Sequence, residues 1–560
     1  MSLLRASRFH LAVKTVRSGT LSQSRRLYST AKNEDIEECD VVIVGGGPAG
    51  LTLATALGSS TFARQNLRIS LVEGGDLSKV KQWAPPPGTY SNRVSTLTNT
   101  SQSFLRAIGA WAHVDTRRTA PVEEMQVWDG VSDARLTFSA SEIGLENSQE
   151  GMARLTENLN LQRGVLRRLD ELPEVQLIDK TKVKSILRDT EERGGWPLVY
   201  LENGRILRAR LLVGADGSNS PVRSYAQIPS FGWSYDTVGI VATMVHPPRS
   251  AFQAPNRTAY QRFLPTGPIA FLPLSPTVSS LVWSTRPTIA SALTASEPAV
   301  LASMINAAFR LPEISLRYLY DRIIEAQANG QPLTLAEIQQ EIKWREDSHA
   351  IDPYSAYRSA TVEVREDAGI TVATFPLKFN HIEAYIGEGH GSRTVLVGDA
   401  AHTVHPLAGQ GLNMGLADVE CLARCIEGTL KQGGDIGSYV ALLLYAQERY
   451  LENHTIMSAI DKLHKLYTTT FEPVVWARSV GVEVLNELDT IKAALMMVAG
   501  ARNYKVDRTA AAFNVAATGV ETLAAGIKAA KLLGGSAGGL INSGLQRFFK
   551  AMSDNSRKNI

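Results

Sequence analysis

Apolar residues gather along this chain in short β-branched runs set between glycines and polar turns. Asp40-Val41-Val42-Ile43-Val44 is such a run, and its continuous hydrophobicity predicts a strand buried on both faces. Leu51-Thr52-Leu53-Ala54-Thr55-Ala56-Leu57 reads as the helix after it, Arg68-Ile69-Ser70-Leu71-Val72 as a second strand, and Thr394-Val395-Leu396-Val397 as a third buried one. Between Ala226 and Thr374 the pattern changes. Gly239-Ile240-Val241-Ala242-Thr243-Met244-Val245 and Leu281-Val282-Trp283-Ser284 are strand patterns separated by Pro and Gly turns, which predicts a mostly antiparallel sheet. Leu301 to Arg345 carries helical periodicity, Gly194-Gly195 and Asn203-Gly204 mark hairpin turns, and after Ser438 helices are expected through Met497. No internal repeat stands out. The expected fold is α/β: a discontinuous Rossmann-like unit from 39–225 and 375–428, an inserted sheet domain at 226–374, a helical region at 429–500 and an extension at 501–560.

The glycines between these elements carry the chemistry. Gly45-Gly46-Gly47-Pro48-Ala49-Gly50 stands between a strand and a helix, where Gly45 makes the tight turn, Gly47 lets a pyrophosphate approach the backbone and Gly50 allows close helix packing. Glu73, at the end of the second strand, is placed to bind adenosine ribose hydroxyls. That set fits NAD or FAD equally. Gly398-Asp399-Ala400-Ala401-His402 favours FAD, because a carboxylate at the end of a buried strand can accept hydrogen bonds from ribityl hydroxyls, which NAD lacks. The next stretch, His405-Pro406-Leu407-Ala408-Gly409-Gln410-Gly411-Leu412-Asn413-Met414-Gly415, enters a helix whose N-terminus would favour a negatively charged reduced flavin.

With Leu211-Leu212-Val213-Gly214-Ala215-Asp216-Gly217 between them, these blocks resemble the flavoprotein aromatic hydroxylases related to para-hydroxybenzoate hydroxylase. Ser91-Asn92-Arg93-Val94-Ser95-Thr96-Leu97-Thr98, the run from Gln261 to Leu274, and Ser280 to Thr285 resemble most the branch that serves mitochondrial ubiquinone biosynthesis, the C5-ring hydroxylases. The resemblance implies FAD held by Gly45, Gly47, Gly50, Glu73, Arg93, Gln162, Asp399, Gly411, Leu412 and Asn413. It implies that reduced FAD reacts with O₂ to give a C4a-hydroperoxide, which places one oxygen atom on the ring of a polyprenylated phenol. Such chemistry needs a dry cavity over the flavin, and Phe263, Leu264, Pro265, Ile269, Phe271 and Trp283 are the expected lining. His402, His405 and Pro406 are the candidates for protein groups near the reacting ring, although a structural imidazole bonded to backbone is the favoured reading of each histidine. The expected electron donor is ferredoxin with its reductase, NAD(P)H being the alternative, and other ubiquinone-biosynthesis proteins are expected partners. Competing readings are a geranylgeranyl-reductase-like enzyme, a kynurenine-type hydroxylase, and a non-catalytic prenyl-binding protein of the Rab-escort type; the intact glycine set with Asp399 speaks against the last.

Composition changes this picture at the two ends. The formal charge of +3 depends on six basic residues among the first 28, which contain no acid; the rest holds 52 bases against 55 acids. This leader, with Arg26-Leu27-Tyr28 near a cleavage-like site, reads as a mitochondrial transit peptide covering 1–28, and the expected location is the matrix side of the inner membrane. The body shows no basic stripe interleaved with aromatics, so nucleic acid is not an expected partner. Cys39, Cys421 and Cys425 form neither a disulfide framework nor a zinc set, and no metal is expected. No run approaches the roughly 18 apolar residues of a membrane span. The segments Val520 to Leu533 and Leu540 to Lys550 read as amphipathic helices that could meet a membrane surface.

Overall fold

Val41, Val42 and Ile43 are completely buried, because the strand Ile36–Val44 lies in the middle of a sheet with helices against it. The structure, a computed structural model, describes residues 36–143, 151–190, 194–246, 255–351 and 372–486. The leader 1–28, the extension 501–560 and the end of the helical region lie outside the described residues.

Seven strands form the first sheet, in the order Val175–Ile178, Ile69–Val72, Ile36–Val44, Ile206–Gly214, Pro197–Leu201, Val183–Arg188, with Thr394–Leu396 paired to Ile206–Gly214. Its pairings at Ile36–Val44 are parallel on both sides, as a βαβ unit requires, and the last two strands turn back as antiparallel hairpins. Gly194 and Gly204, both at positive φ, lie in the connections of these hairpins, where the sequence had turns.

Eight strands form the second sheet, in the order His402–Thr403, Ala373–Ile382, Ser230–Val245, Val278–Thr285, Gly267–Pro273, Thr258–Leu264, Glu124–Asp129, Arg135–Ser139. All its pairings are antiparallel except that of Thr258–Leu264 with Glu124–Asp129. This sheet draws Glu124–Asp129 and Arg135–Ser139 from inside 39–225, and Ala373–Ile382 overlaps the second segment of the expected FAD unit. The sheet is therefore not confined to the 226–374 insert, because edge strands are recruited through backbone pairing, which leaves no mark in local composition. Four helices, Pro287–Thr294, Pro298–Arg310, Glu313–Ala328 and Leu335–Ser348, cover one face of it, in agreement with the helical periodicity. Arg262 holds them there from its buried position, its Nη1 donating to the carbonyls of Ala308 and Leu311 at the end of the second of these helices. Burial pushes its pKa down to about 10.

A third, three-stranded sheet of Val94–Thr98, Ala153–Glu157 and Thr119–Val122 stands beside the glycine signatures. After Ser438, the long helix Tyr439–Thr468 and the helix Glu472–Asn486 follow, the latter tied back by a buried Arg478 pair to Asp129 at 2.7 and 2.8 Å. The three cysteines are buried and free.

Candidate active site

The first glycine loop is built by contacts that only glycine permits at two of its positions. Gly45 has φ +108°, and a Cβ there would lie 2.3 Å from the Ala215 carbonyl oxygen. A Cβ at Gly50 would lie 1.9 Å from the Gly45 carbonyl oxygen. Gly47 is different: a Cβ there would meet no protein atom within 4 Å, so this face of the backbone is open to a bound group. Gly47 also caps the helix Pro48–Ser59, whose first N–H groups lack intrahelical acceptors and whose dipole favours a phosphate. Glu73 accepts from the N–H of Gly46 at 2.5 Å and of Gly75 at 2.6 Å, which fixes its carboxylate against the loop.

The second signature meets the first. Ala215 N–H donates to the Val44 carbonyl at 2.8 Å, and Asp216 follows directly. One Asp216 oxygen accepts from Val222 N–H at 3.1 Å; the other is buried without a partner among the described residues. Burial raises the Asp216 pKa, partly offset by its hydrogen bonds. Arg223 then reaches the third signature, its Nη1 donating to the Ala400 carbonyl at 2.8 Å. Neither residue was among the sequence candidates, and for Asp216 the signal was present in the Gly-Ala-Asp-Gly block.

In the third signature Gly398 turns with φ +61°, and Ala49 and Gly415 lie against it so closely that its Cβ would be 3.2 Å from Ala49 Cβ. Asp399 follows on the surface of the cleft, and its carboxylate makes no hydrogen bond among the described residues. Although it is open to solvent on one side, the protein around it raises its pKa by desolvation, which His402 partly counters. A carboxylate so placed can accept hydroxyl donors. His402 is buried, and its Nε2 lies 2.6 Å from Asp418 Oδ2, so it acts as a structural imidazole under the turn. His405 is also buried; its Nδ1 accepts the Leu407 N–H at 3.2 Å, capping the short turn Pro406–Ala408. Burial, with the charge of His464, pulls the His405 pKa down to about 3 and keeps the ring neutral.

Gly409, at φ +59°, leads into the helix Gln410–Lys431, with no acid in its first turn. The N–H groups of Gly411 and Leu412, in the first turn, therefore lack intrahelical acceptors. The Asn413 side chain is committed elsewhere. Its Oδ1 accepts from Thr98 N–H and Ser101 Oγ, and its Nδ2 donates to the carbonyls of Thr96 and Gly409, all between 2.7 and 3.1 Å. The Arg93 backbone meets the start of the helix Asn158–Asp170 that carries Gln162, with Asn158 N–H donating to the Arg93 carbonyl at 3.0 Å. The Arg93 side chain is exposed and Gln162 is half-buried.

The expected lining divides between two faces. Leu264, Ile269, Phe271 and Trp283 pack into the core between the sheet and its four covering helices, so they do not form one lining with Phe263. The reason is the two-residue period of strands, which sends neighbours to opposite faces. Phe263 lies on the other face, stacked on Tyr467 at 4.1 Å and grouped with Leu407 of the cleft loop. Gln261 and Ala259 share its face by the same alternation. Pro265 sits half-buried in the turn beyond.

The residues present fit FAD: an open glycine backbone at Gly47, helix N-termini at Pro48–Ser59 and Gln410–Lys431, the Glu73 carboxylate at the end of the second strand and the Asp399 carboxylate, which makes no hydrogen bond among the described residues. No cluster of metal-ligating side chains occurs among the described residues. The family model described as an FAD binding domain matches residues 38–327 and 339–452. The mitochondrial ubiquinone biosynthesis monooxygenase COQ6 of Saccharomyces cerevisiae is 36% identical over 83% of this chain and 94% of its own length. The protein of the same name from Homo sapiens is 31% identical over 86% of this chain and 96% of its own. Among solved structures, p-nitrophenol 4-monooxygenase PnpA of Pseudomonas putida has the same fold, with a TM-score of 0.56 at 15% identity over 84% of this chain and all of its own.

Proposed function

Since the chain belongs to the FAD-binding family of the mitochondrial ubiquinone biosynthesis monooxygenases, and is an FAD-dependent monooxygenase, we propose that its substrate is a polyprenylated phenol hydroxylated at ring carbon C5. The observation that carries this reading is the identity of 36% with a relative so named, over 83% of this chain and 94% of that relative. Bound FAD would supply the activation of O₂, of which one atom goes to the ring and the other leaves as water. Gly45, Gly47 and the N-terminus of Pro48–Ser59 would hold its pyrophosphate, Glu73 its adenosine ribose and Asp399 its ribityl chain. The N–H groups of Gly411 and Leu412 would favour negative charge on the reduced ring.

The phenol ring enters between this cleft and the face of the eight-stranded sheet that carries Phe263. Phe263, Tyr467 and Leu407 keep that side apolar, which excludes water from the reacting atoms. His405 stays neutral there and serves to hold the Pro406 turn rather than to carry a proton. We further infer a mitochondrial location on the matrix side of the inner membrane, with 1–28 as leader and ferredoxin with its reductase as donor. No described helix is long and apolar enough to cross a membrane.

The test supplies the purified protein with a polyprenylated phenol, ¹⁸O₂, and either reduced ferredoxin or NADPH. One labelled oxygen at C5 is expected, with ferredoxin the more effective donor. Equal turnover of unprenylated 4-hydroxybenzoate would reject the lipid substrate, because each buried CH₂ of a tail contributes about 0.8 kcal/mol to binding.

A further inference from the structure

We propose that the helix Tyr439–Thr468, which lies outside all three cofactor signatures, positions the ribityl-binding turn, with Arg449 and Asn453 acting through Asp418. The inference rests on the reading of the cleft as an FAD site.

Asp418 is completely buried, two turns into the helix Gln410–Lys431. Its Oδ2 grips both ends of the Asp399 turn, accepting from Gly398 N–H at 3.0 Å and meeting His402 Nε2 at 2.6 Å. Its Oδ1 faces the other way and accepts from Arg449 Nε at 2.8 Å and Asn453 Nδ2 at 2.9 Å. Arg449 Nη2 donates to Asn453 Oδ1 at 2.7 Å, and its Nη1 meets the exposed Glu452. Asn453 in turn donates to Tyr385 Oη at 2.8 Å, and Tyr445 Oη donates to the Leu396 carbonyl at 2.6 Å, in the strand that delivers Gly398. Every one of these side chains except Glu452 is buried.

One carboxylate therefore joins a turn that binds ligand to a helix that does not. Burial opposes its charge, yet His402 and Arg449 outweigh that and hold its pKa at about 2. Without Arg449 the buried carboxylate loses its permanent counter-charge, so it is left to share a proton with His402, and the geometry at Gly398 is no longer fixed. Gly398 has little freedom to adjust, since Ala49 and Gly415 enclose it at positive φ. The coupling is reciprocal: if docking of this helix orders the turn, FAD binding must stabilise the docked helix.

The experiment uses the full chain, stripped of FAD and titrated with FAD by fluorescence quenching, alongside hydrogen exchange of the apoprotein with and without FAD. FAD should slow exchange of amides within 445–453, none of which belongs to the signatures. Arg449→Met should weaken FAD binding about tenfold or more, in the range seen when groups orienting a ligand-binding residue are removed. Arg449→Lys should recover part of that loss, because it restores charge without the planar fork. Tyr445→Phe, which removes one hydroxyl at nearly constant shape, serves if Arg449→Met does not fold, and should weaken FAD binding to a smaller extent. A purely structural role would lower the melting temperature of the apoprotein and leave FAD affinity within twofold of wild type. That affinity in the folded variants, or exchange in 445–453 indifferent to FAD, overturns the proposal. Failure of the wild type to bind FAD would instead reject the cofactor reading itself.

Discussion

The two large sheets use their strands in different ways. The seven-stranded sheet places its functional groups at strand ends: Gly45 after Val44, Glu73 after Val72, Ala215 and Asp216 after Gly214. The eight-stranded sheet offers a face, on which Phe263 and its neighbours at two-residue spacing look toward the cleft while Trp283 and Ile269 look away. A strand end announces itself by glycines, because the turn needs conformations and clearances that other residues cannot adopt. A face does not, since both sides of this sheet are covered and polarity no longer alternates. Function at the ends should thus be sensitive to single atoms, and function on the face to volume.

The largest effect expected on this contrast is at Gly50. Gly50→Val should give protein without FAD and with the first sheet disrupted, because its Cβ would overlap the Gly45 carbonyl at 1.9 Å. Gly47→Ala should fold with a normal circular dichroism spectrum and bind FAD more weakly, as its side faces no protein atom. Equal damage from both substitutions would break the distinction between a glycine needed by the fold and one needed by the ligand.

Next, Trp283→Ala and Phe263→Ala separate the two faces. Each removes a buried aromatic at a cost of about 3–5 kcal/mol, measurable by denaturant unfolding. Only Phe263→Ala should also raise the fraction of reduced flavin that yields peroxide instead of product. Uncoupling of similar size in both would place Trp283 at the substrate.

Asp399→Ala should weaken FAD binding by roughly 1.5–3 kcal/mol through loss of charge-assisted hydrogen bonds, read by isothermal titration, while leaving the apoprotein's stability nearly unchanged since the carboxylate makes no hydrogen bond among the described residues. A drop in apoprotein stability with full FAD affinity would make it a fold residue.

The smallest effect concerns pH. His405 has a folded pKa near 3, below its ordinary value of 6.5, so the unfolded chain takes up the proton first as pH falls. Its contribution to stability is complete above about 6.5 and is lost progressively toward 3. His405→Asn, which retains a side-chain acceptor for the Leu407 N–H, should flatten the fall of stability between pH 6.5 and 4. An unchanged slope would mean that the ring is hydrated and titrates normally.

The glycine-rich turns that come together were legible in advance. Gly45, Gly47, Gly50, Glu73 and Asp399 came from short spacings, and the structure brings their segments to one cleft with Ala49, Gly398 and Gly415 in contact. The surroundings of Asn413 were not legible: besides the nearby Gly409, its side chain is bound to Thr96, Thr98 and Ser101, which lie more than 300 residues away in sequence. The pocket lining was the weakest reading. Phe263 and Leu264 are adjacent and equally apolar, and nothing local separates the one that faces the cleft from the one that faces the helices.

By itself the sequence determined the order of the elements, the turns that only glycine can make and the chemical class of the ligand they admit, because these depend on conformations of a few neighbouring residues. The tertiary structure alone decided which face of the eight-stranded sheet meets the cleft, which strands from inside 39–225 join that sheet, and that Arg449 reaches the Asp399 turn through Asp418. Those outcomes follow from long-range pairing, where a backbone hydrogen bond or a buried ion pair joins groups whose separation along the chain carries no local signal.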